Sequence, residues 1–227
     1  MMRASPLHDC LARLETKWGR LNDMPIASIA GAETNTSLQL LDLSALRRTG
    51  LKGPGAASWL QSRSVCVPER ANSWSNLEDG GLIARLGRSE FLLEDAPRGV
   101  VVSGVADALV TPATGVYPVL RQDAALMVRG EAVPELLAQT CSIDLSAGAR
   151  EERAVSLTMM AGISVIVIDV SSAHAAPCYR IWCDGTYGAY LWETLLEIAE
   201  ELGGGAAGLN AIYPDLQASG GNESIQS

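Results

Sequence analysis

Residues able to do chemistry are few in this chain, and they are scattered. Only two histidines occur, His8 and His174, and neither sits among Cys, Asp or Glu at metal-ligand spacing. Zinc needs such partners, so both read as loop or surface residues and no metal ligand is expected. Cys178 and Cys183 are five apart in an expected strand. An odd offset puts them on opposite faces, which disfavours a shared metal or a disulfide. Cys141 follows an expected helix among Gln139, Thr140 and Ser142. With no cation beside it to favour the thiolate, it reads as a buried thiol. The run Gly50-Leu51-Lys52-Gly53-Pro54-Gly55 superficially suggests a phosphate loop. Its lysine precedes the turn, whereas phosphate binding needs Gly-Lys-Ser/Thr opening a helix. Pro54 reads instead as the first residue of a helix. No Gly-x-Ser-x-Gly nucleophile elbow is present. The sequence therefore assigns no catalytic residue, and residues that would hold a cofactor stay open. Trp59 and Trp192 have helical neighbours and read as core. Trp74, in the polar stretch ANSWSNLEDG, is the candidate for contact with a ligand or partner.

The elements that position these residues follow from composition and periodicity. The chain has 227 residues, 48% hydrophobic and 19% charged, with a net charge of -9. That is enough apolar material for a core, and the sign repels nucleic acid and anionic membrane surfaces. No segment approaches the roughly 18 apolar residues of a membrane span. No run near the start resembles an export signal, and the five cysteines are unpaired in spacing, so reduced thiols and a cytoplasmic location are expected. An N-terminal arm (1–32) contains Leu7, Leu11, Leu14 and Trp18 at spacings of 4, 3 and 4, which predicts one amphipathic helix. A small polar tail (215–227) is expected to be disordered.

Between them lies a weak repeat, dividing the chain into halves at 33–115 and 116–214. In each, a strand ends on a glycine, Gly53 or Gly130, and a short helix follows, Ala56 to Leu60 or Ala132 to Leu137. Two apolar strands and a second helix come next. Leu82–Leu86 and Phe91–Leu93 flank Gly87-Arg88-Ser89 as a hairpin, and the β-branched run Ile163 to Ile168 reads as a buried strand. Tyr187, Leu191, Leu195, Ile198 and Leu202 define the last helix, which should end at Gly203-Gly204-Gly205. The fold class is α+β, as two fused ferredoxin-like halves.

Three segments carry a family resemblance. SPLHDCLARLETKWGRLNDMPIAS, LLDLSALRRTGLKGPGAASWLQ and YRIWCDGTYGAYLWETLLEIAEELGGGAAGLNA together resemble the folate-dependent aminomethyltransferase of glycine cleavage, the T-protein, over residues 5–212. VYPVLRQDAALMVRGEAVPELLAQTCSIDL is similar to its sarcosine oxidase gamma-subunit branch, which lacks the C-terminal barrel. The resemblance implies the aminomethyltransferase folate-binding fold. It implies an accessory subunit of a heteromeric N-methylamine oxidising or demethylating enzyme, partnered by sister subunits and linked to tetrahydrofolate. The alternative is a module that itself binds tetrahydrofolate and captures formaldehyde. Three family positions differ. No acid follows Gly80-Gly81, SSAHAAPC before Tyr179 lacks the family glutamate, and Ile212 and Tyr213 stand where an arginine is expected after Ala211.

Overall fold

The computed structural model describes residues 3–29, 37–145, 151–173 and 175–216. His174 and most of the tail lie outside the described residues. The arm contains a helix, α1 (His8–Leu11), of only four residues, followed by two strands, β1 (Thr16–Leu21) and β2 (Met24–Ile29). These pair antiparallel around Asn22 and Asp23, whose φ values are 50° and 62°. Positive φ at both central residues is the turn that matches strand twist, and Asn and Asp tolerate it best after glycine. The helix expected through Trp18 is thus corrected: Trp18 lies on β1 and packs against His8, with ring centroids 4.7 Å apart.

The remaining chain forms two sheets. The first is built from β4 (Arg48–Lys52), β5 (Ser73–Asn76), β6 (Leu82–Arg85), β7 (Glu90–Glu94) and β8 (Tyr117–Val119), in the order β5-β6-β7-β4-β8. The second comprises β3 (Gln39–Asp42), β9 (Ala124–Arg129), β10 (Val155–Met160), β11 (Ile163–Asp169), β12 (Cys178–Cys183) and β13 (Gly205–Ala207). Its order is β10-β11-β12-β9-β3-β13. The two orders are the same repeat, with β3 inserted in the second.

Each repeat unit runs strand, helix, three strands, helix, strand, from β4 to β8 and from β9 to β13. The helices are α2 (Ala56–Gln61) and α3 (Val101–Ala108) in the first half, α4 (Val133–Thr140) and α5 (Gly188–Glu201) in the second. A ferredoxin-like unit has two strands between its helices rather than three. The extra strand of the first half, β5, is polar (SWSN) and carries no apolar run to announce it. Each sheet also takes a strand from across the 115/116 division. β3 pairs with β9, and β8 pairs with β4.

Both glycines that end the first strand of each repeat turn the chain at positive φ, 121° at Gly53 and 129° at Gly130. After Gly53, Pro54 lies in the turn and α2 begins only at Ala56, because the Gly55 N–H is drawn to Gly115 O at 3.0 Å. α5 covers the expected stretch, and Gly203 (φ 74°) terminates it.

Helices pack on the outer faces and the two inner sheet faces meet. Trp59, Leu60, Phe91 and Val105 form the core under α2 and α3. Leu126, Leu136, Ile181, Leu191 and Trp192 form that under α4 and α5. Trp74, Leu82, Leu92, Met127, Ile168 and Trp182 fill the space between sheets. Trp59 and Trp192 are core residues, as expected. Among the described residues no helix is long and apolar enough to cross a membrane.

Candidate functional site

The edges of the two sheets touch where β5 meets the segment leading into β10. The Trp74 N–H donates to Arg153 O at 2.9 Å, and the Val155 N–H donates to Asn72 O at 2.8 Å. Above this junction lies a pocket of ≈ 640 Å³, walled by Trp74 and Gly81 from the first half and by Arg153, Asp169, Tyr179 and Arg180 from the second. A polar-lined cleft between two halves is the usual place for a small-molecule site.

Trp74, the ligand candidate of the sequence, lies in this wall. It is 9% exposed, its Nε1 has no protein partner, and the Arg153 guanidinium sits 5.3 Å from its ring. Asp169 ends β11 opposite Tyr179 on β12. Its carboxylate accepts from the Ser171 N–H at 2.8 Å and remains exposed to the pocket. Burial, together with the negative charge of Asp169, pushes the Tyr179 phenol up to about 12, and its hydroxyl donates to Leu145 O at 2.8 Å. A neutral phenol engaged in that way is a binding group, not a base.

Behind the pocket wall lies a buried ionic cluster joining the two sheets. Glu94, at the end of β7, is fully buried. It accepts from Arg48 at 2.8 Å, from Arg180 at 2.5 Å and from the Trp182 indole at 2.8 Å. Arg180 donates to Tyr213 at 3.2 Å, and Arg48 to Ser44 O at 2.7 Å. The two arginines thereby lock β4, β12 and the C-terminal turn to one carboxylate.

Two acids, Asp79 and Asp95, cap the start of α3. Asp79 accepts from the Val100 and Val101 N–H groups at 2.8 and 2.9 Å, and Asp95 accepts from Val102 at 3.0 Å. Burial alone would raise Asp79, but those donors outweigh it and hold the carboxyl below its usual value. Asp95 is pushed up by burial and by the Asp79 charge, the Val102 N–H and Arg47 only partly opposing this. A folded pKa above the unfolded one gives stability that is present in full below the unfolded value, about 3.9, and lost as pH rises through the folded value. Asp42 and Asp123, both raised chiefly by burial, act in the same sense, while Asp79 acts in the opposite one. Asp95→Asn keeps the acceptor for Val102 and supplies a permanent donor towards Asp79. Its stability relative to the parent, in urea melts, should rise from about pH 4 upward through the range in which Asp95 loses its proton, and then level off. A pH-independent difference would show that Asp95 does not titrate in this range.

The other sequence candidates stay apart from the pocket. His8 packs on Trp18 with the rings tilted by 43°, and Cys141 lies half-buried at the end of α4. Cys183 packs in the helix-side core while Cys178 borders the inter-sheet core. Among the described residues no group of three or more His, Cys, Asp or Glu could hold a metal ion. Leu82 fills the position after Gly81 and is buried. The sequence reading missed Asp169, although it is the charge that closes the run from Ile163. It also missed Arg129, whose guanidinium donates to Ala211 O at 3.0 Å, beside the position where the family arginine is absent.

Two antiparallel-rich sheets with outer helices and a cleft between repeated halves define a mixed α+β fold of the aminomethyltransferase type. The glycine cleavage system aminomethyltransferase T from Bartonella henselae has this fold, with a TM-score of 0.69 and 15% identity over 93% of this chain and 61% of that one. The heterotetrameric sarcosine oxidase from Corynebacterium sp. U-96, solved with pyrrole 2-carboxylate, contains a chain with a TM-score of 0.65 and 19% identity. That match covers 89% of this chain and 97% of the other. The present chain thus spans less than two thirds of the aminomethyltransferase, and at these identities the likeness is one of fold. No protein-family profile matches the sequence, and no curated protein matches it.

Proposed function

We propose that this chain is a gamma-type accessory subunit of a heteromeric enzyme that oxidises or demethylates an N-methylamine. In this reading it works in the cytoplasm beside tetrahydrofolate one-carbon metabolism, and the redox chemistry belongs to sister subunits. Its two repeated halves are elaborated ferredoxin-like units, taken as 33–115 and 116–214. The observation that carries the reading is the match through 97% of a chain from a heterotetrameric sarcosine oxidase. The three departures at Leu82, before Tyr179 and at Ile212 support a structural rather than a transferase role. Affinity-tagged chain, co-expressed with candidate flavoprotein subunits, should recover them in a fixed ratio. Recovery of the tagged chain alone would contradict the reading.

A second reading, a tetrahydrofolate-binding module that captures formaldehyde, is favoured by one observation: Asp169 brings a carboxylate to a pocket that also holds Trp74. A pterin edge presents N–H donors, and a buried donor left unmatched costs about 1–3 kcal/mol. One carboxylate in place of several family contacts predicts binding weakened by about 10²-fold or more. Calorimetric titration of the isolated chain with tetrahydrofolate should give weak or undetectable heat. Micromolar one-to-one binding that is lost in Asp169→Asn would establish the second reading instead.

A further inference from the structure

The inner face of the second sheet is covered by the first half at one end only. Val155, Ile168 and Met127 are buried there, against Trp74 and Leu82. Along the same face towards the β10–β11 turn, the apolar residues continue but the cover stops. Leu157 pairs with Ile166, and Ile166 with Trp182, so these share a face. Leu157 is 55% exposed and Met159, two residues on, is 47% exposed. They border a groove of ≈ 480 Å³ whose far end is formed by Asp123 and Asp184. Strand alternation would ordinarily place polar residues at solvent-facing positions. Here β10 keeps Thr158 inward-leaning and turns Leu and Met outward.

We propose that this face is a docking surface for a sister subunit that inserts apolar side chains over Leu157, Met159 and Ile166 and sets a basic side chain against Asp184. The proposal rests on the subunit reading above and specifies where the partner sits. Charge selects the occupant. Asp184 is exposed, and among the described residues its carboxylate accepts hydrogen bonds from Thr186 alone, while Asp123 beside it has one oxygen 3.9 Å from Arg121 and the other buried. The two acids lie at the same end of the groove, because Cys183 of β12 pairs with Ala124 of β9 and each acid is the adjoining residue. A second copy of a chain with net charge -9 would bring the same acids into a two-fold contact, which like charges oppose. A partner carrying lysine or arginine beside apolar residues satisfies both halves of the groove.

The test uses the full chain co-expressed with the sister subunits. The Leu157→Asp/Met159→Asp variant should lose co-elution, while its thermal melt stays with the parent because both side chains are already exposed. Val110→Asp, at an exposed position beyond α3 in the first half, should co-elute normally. Asp184→Lys should weaken the complex about tenfold or more, an effect that diminishes with added salt. If the parent co-elutes and the double variant co-elutes equally, the docking surface is wrong while the subunit reading survives. If the parent binds no sister subunit, both fail. A homodimer abolished by the double variant would overturn the proposal in favour of self-association.

Discussion

Replacing Glu94 by glutamine is expected to destabilise the protein by about 3–5 kcal/mol, the cost of leaving a buried charge uncompensated. The carboxylate is fully buried and is the shared acceptor of Arg48, Arg180 and the Trp182 indole. Removing its charge strands two guanidinium groups whose Nε atoms already lack partners. Glutamine also turns one acceptor into a donor, facing either Arg180 or Arg48 together with the indole. The loss should be visible in urea melts as a lower midpoint with an unchanged slope. Because Arg48 lies on β4 and Arg180 on β12, the variant loosens the junction between the two sheets and not one sheet alone. Amide exchange in both β4 and β12 should accelerate. A change below about 1 kcal/mol would mean that the cluster relaxes or hydrates freely, as exposed ion pairs do.

Gly130→Ala is expected to be of similar size. At φ 129° an L side chain is strained, and a Cβ there would overlap the Ser37 carbonyl and crowd Leu38. Backbone strain of this kind costs on the order of 1–3 kcal/mol before any clash is counted. The overlapped atom is backbone, so relief requires displacing β3 from β9, to which Leu40 and Val128 are paired. Gly53 is the repeat equivalent, at φ 121° with the Gly115 carbonyl in its way. Gly53→Ala should therefore reproduce the loss in the first half. Thermal melts of the two variants check this, and a drop of less than about 2 °C in either would contradict it.

Those glycines were legible in the sequence because each closes a strand and precedes a short helix in which a small residue is followed by a leucine. The long helix α5 and the hairpin joining β6 to β7 were legible for the same reason: period and punctuation agree locally. The N-terminal hairpin was not, because Leu7, Leu11, Leu14 and Trp18 happen to match a helical period. Asn22-Asp23, a good two-residue hairpin turn, was the competing signal. Strand β5 is too polar to show. The exchange of β3 and β8 between sheets is set by tertiary pairing that no local pattern encodes. The same holds at the pocket. Trp74 stood out by composition, but Glu94 meets partners 46 and 86 residues away, and Asp169 reaches the cleft only because β11 ends at its rim.

Native mass spectrometry of the chain purified after co-expression with candidate flavoprotein subunits tests the central claim most directly. The account predicts a species heavier than 23.9 kDa in which the chain is bound to those subunits, with little free chain. A stable 23.9 kDa monomer that ignores those subunits would contradict it.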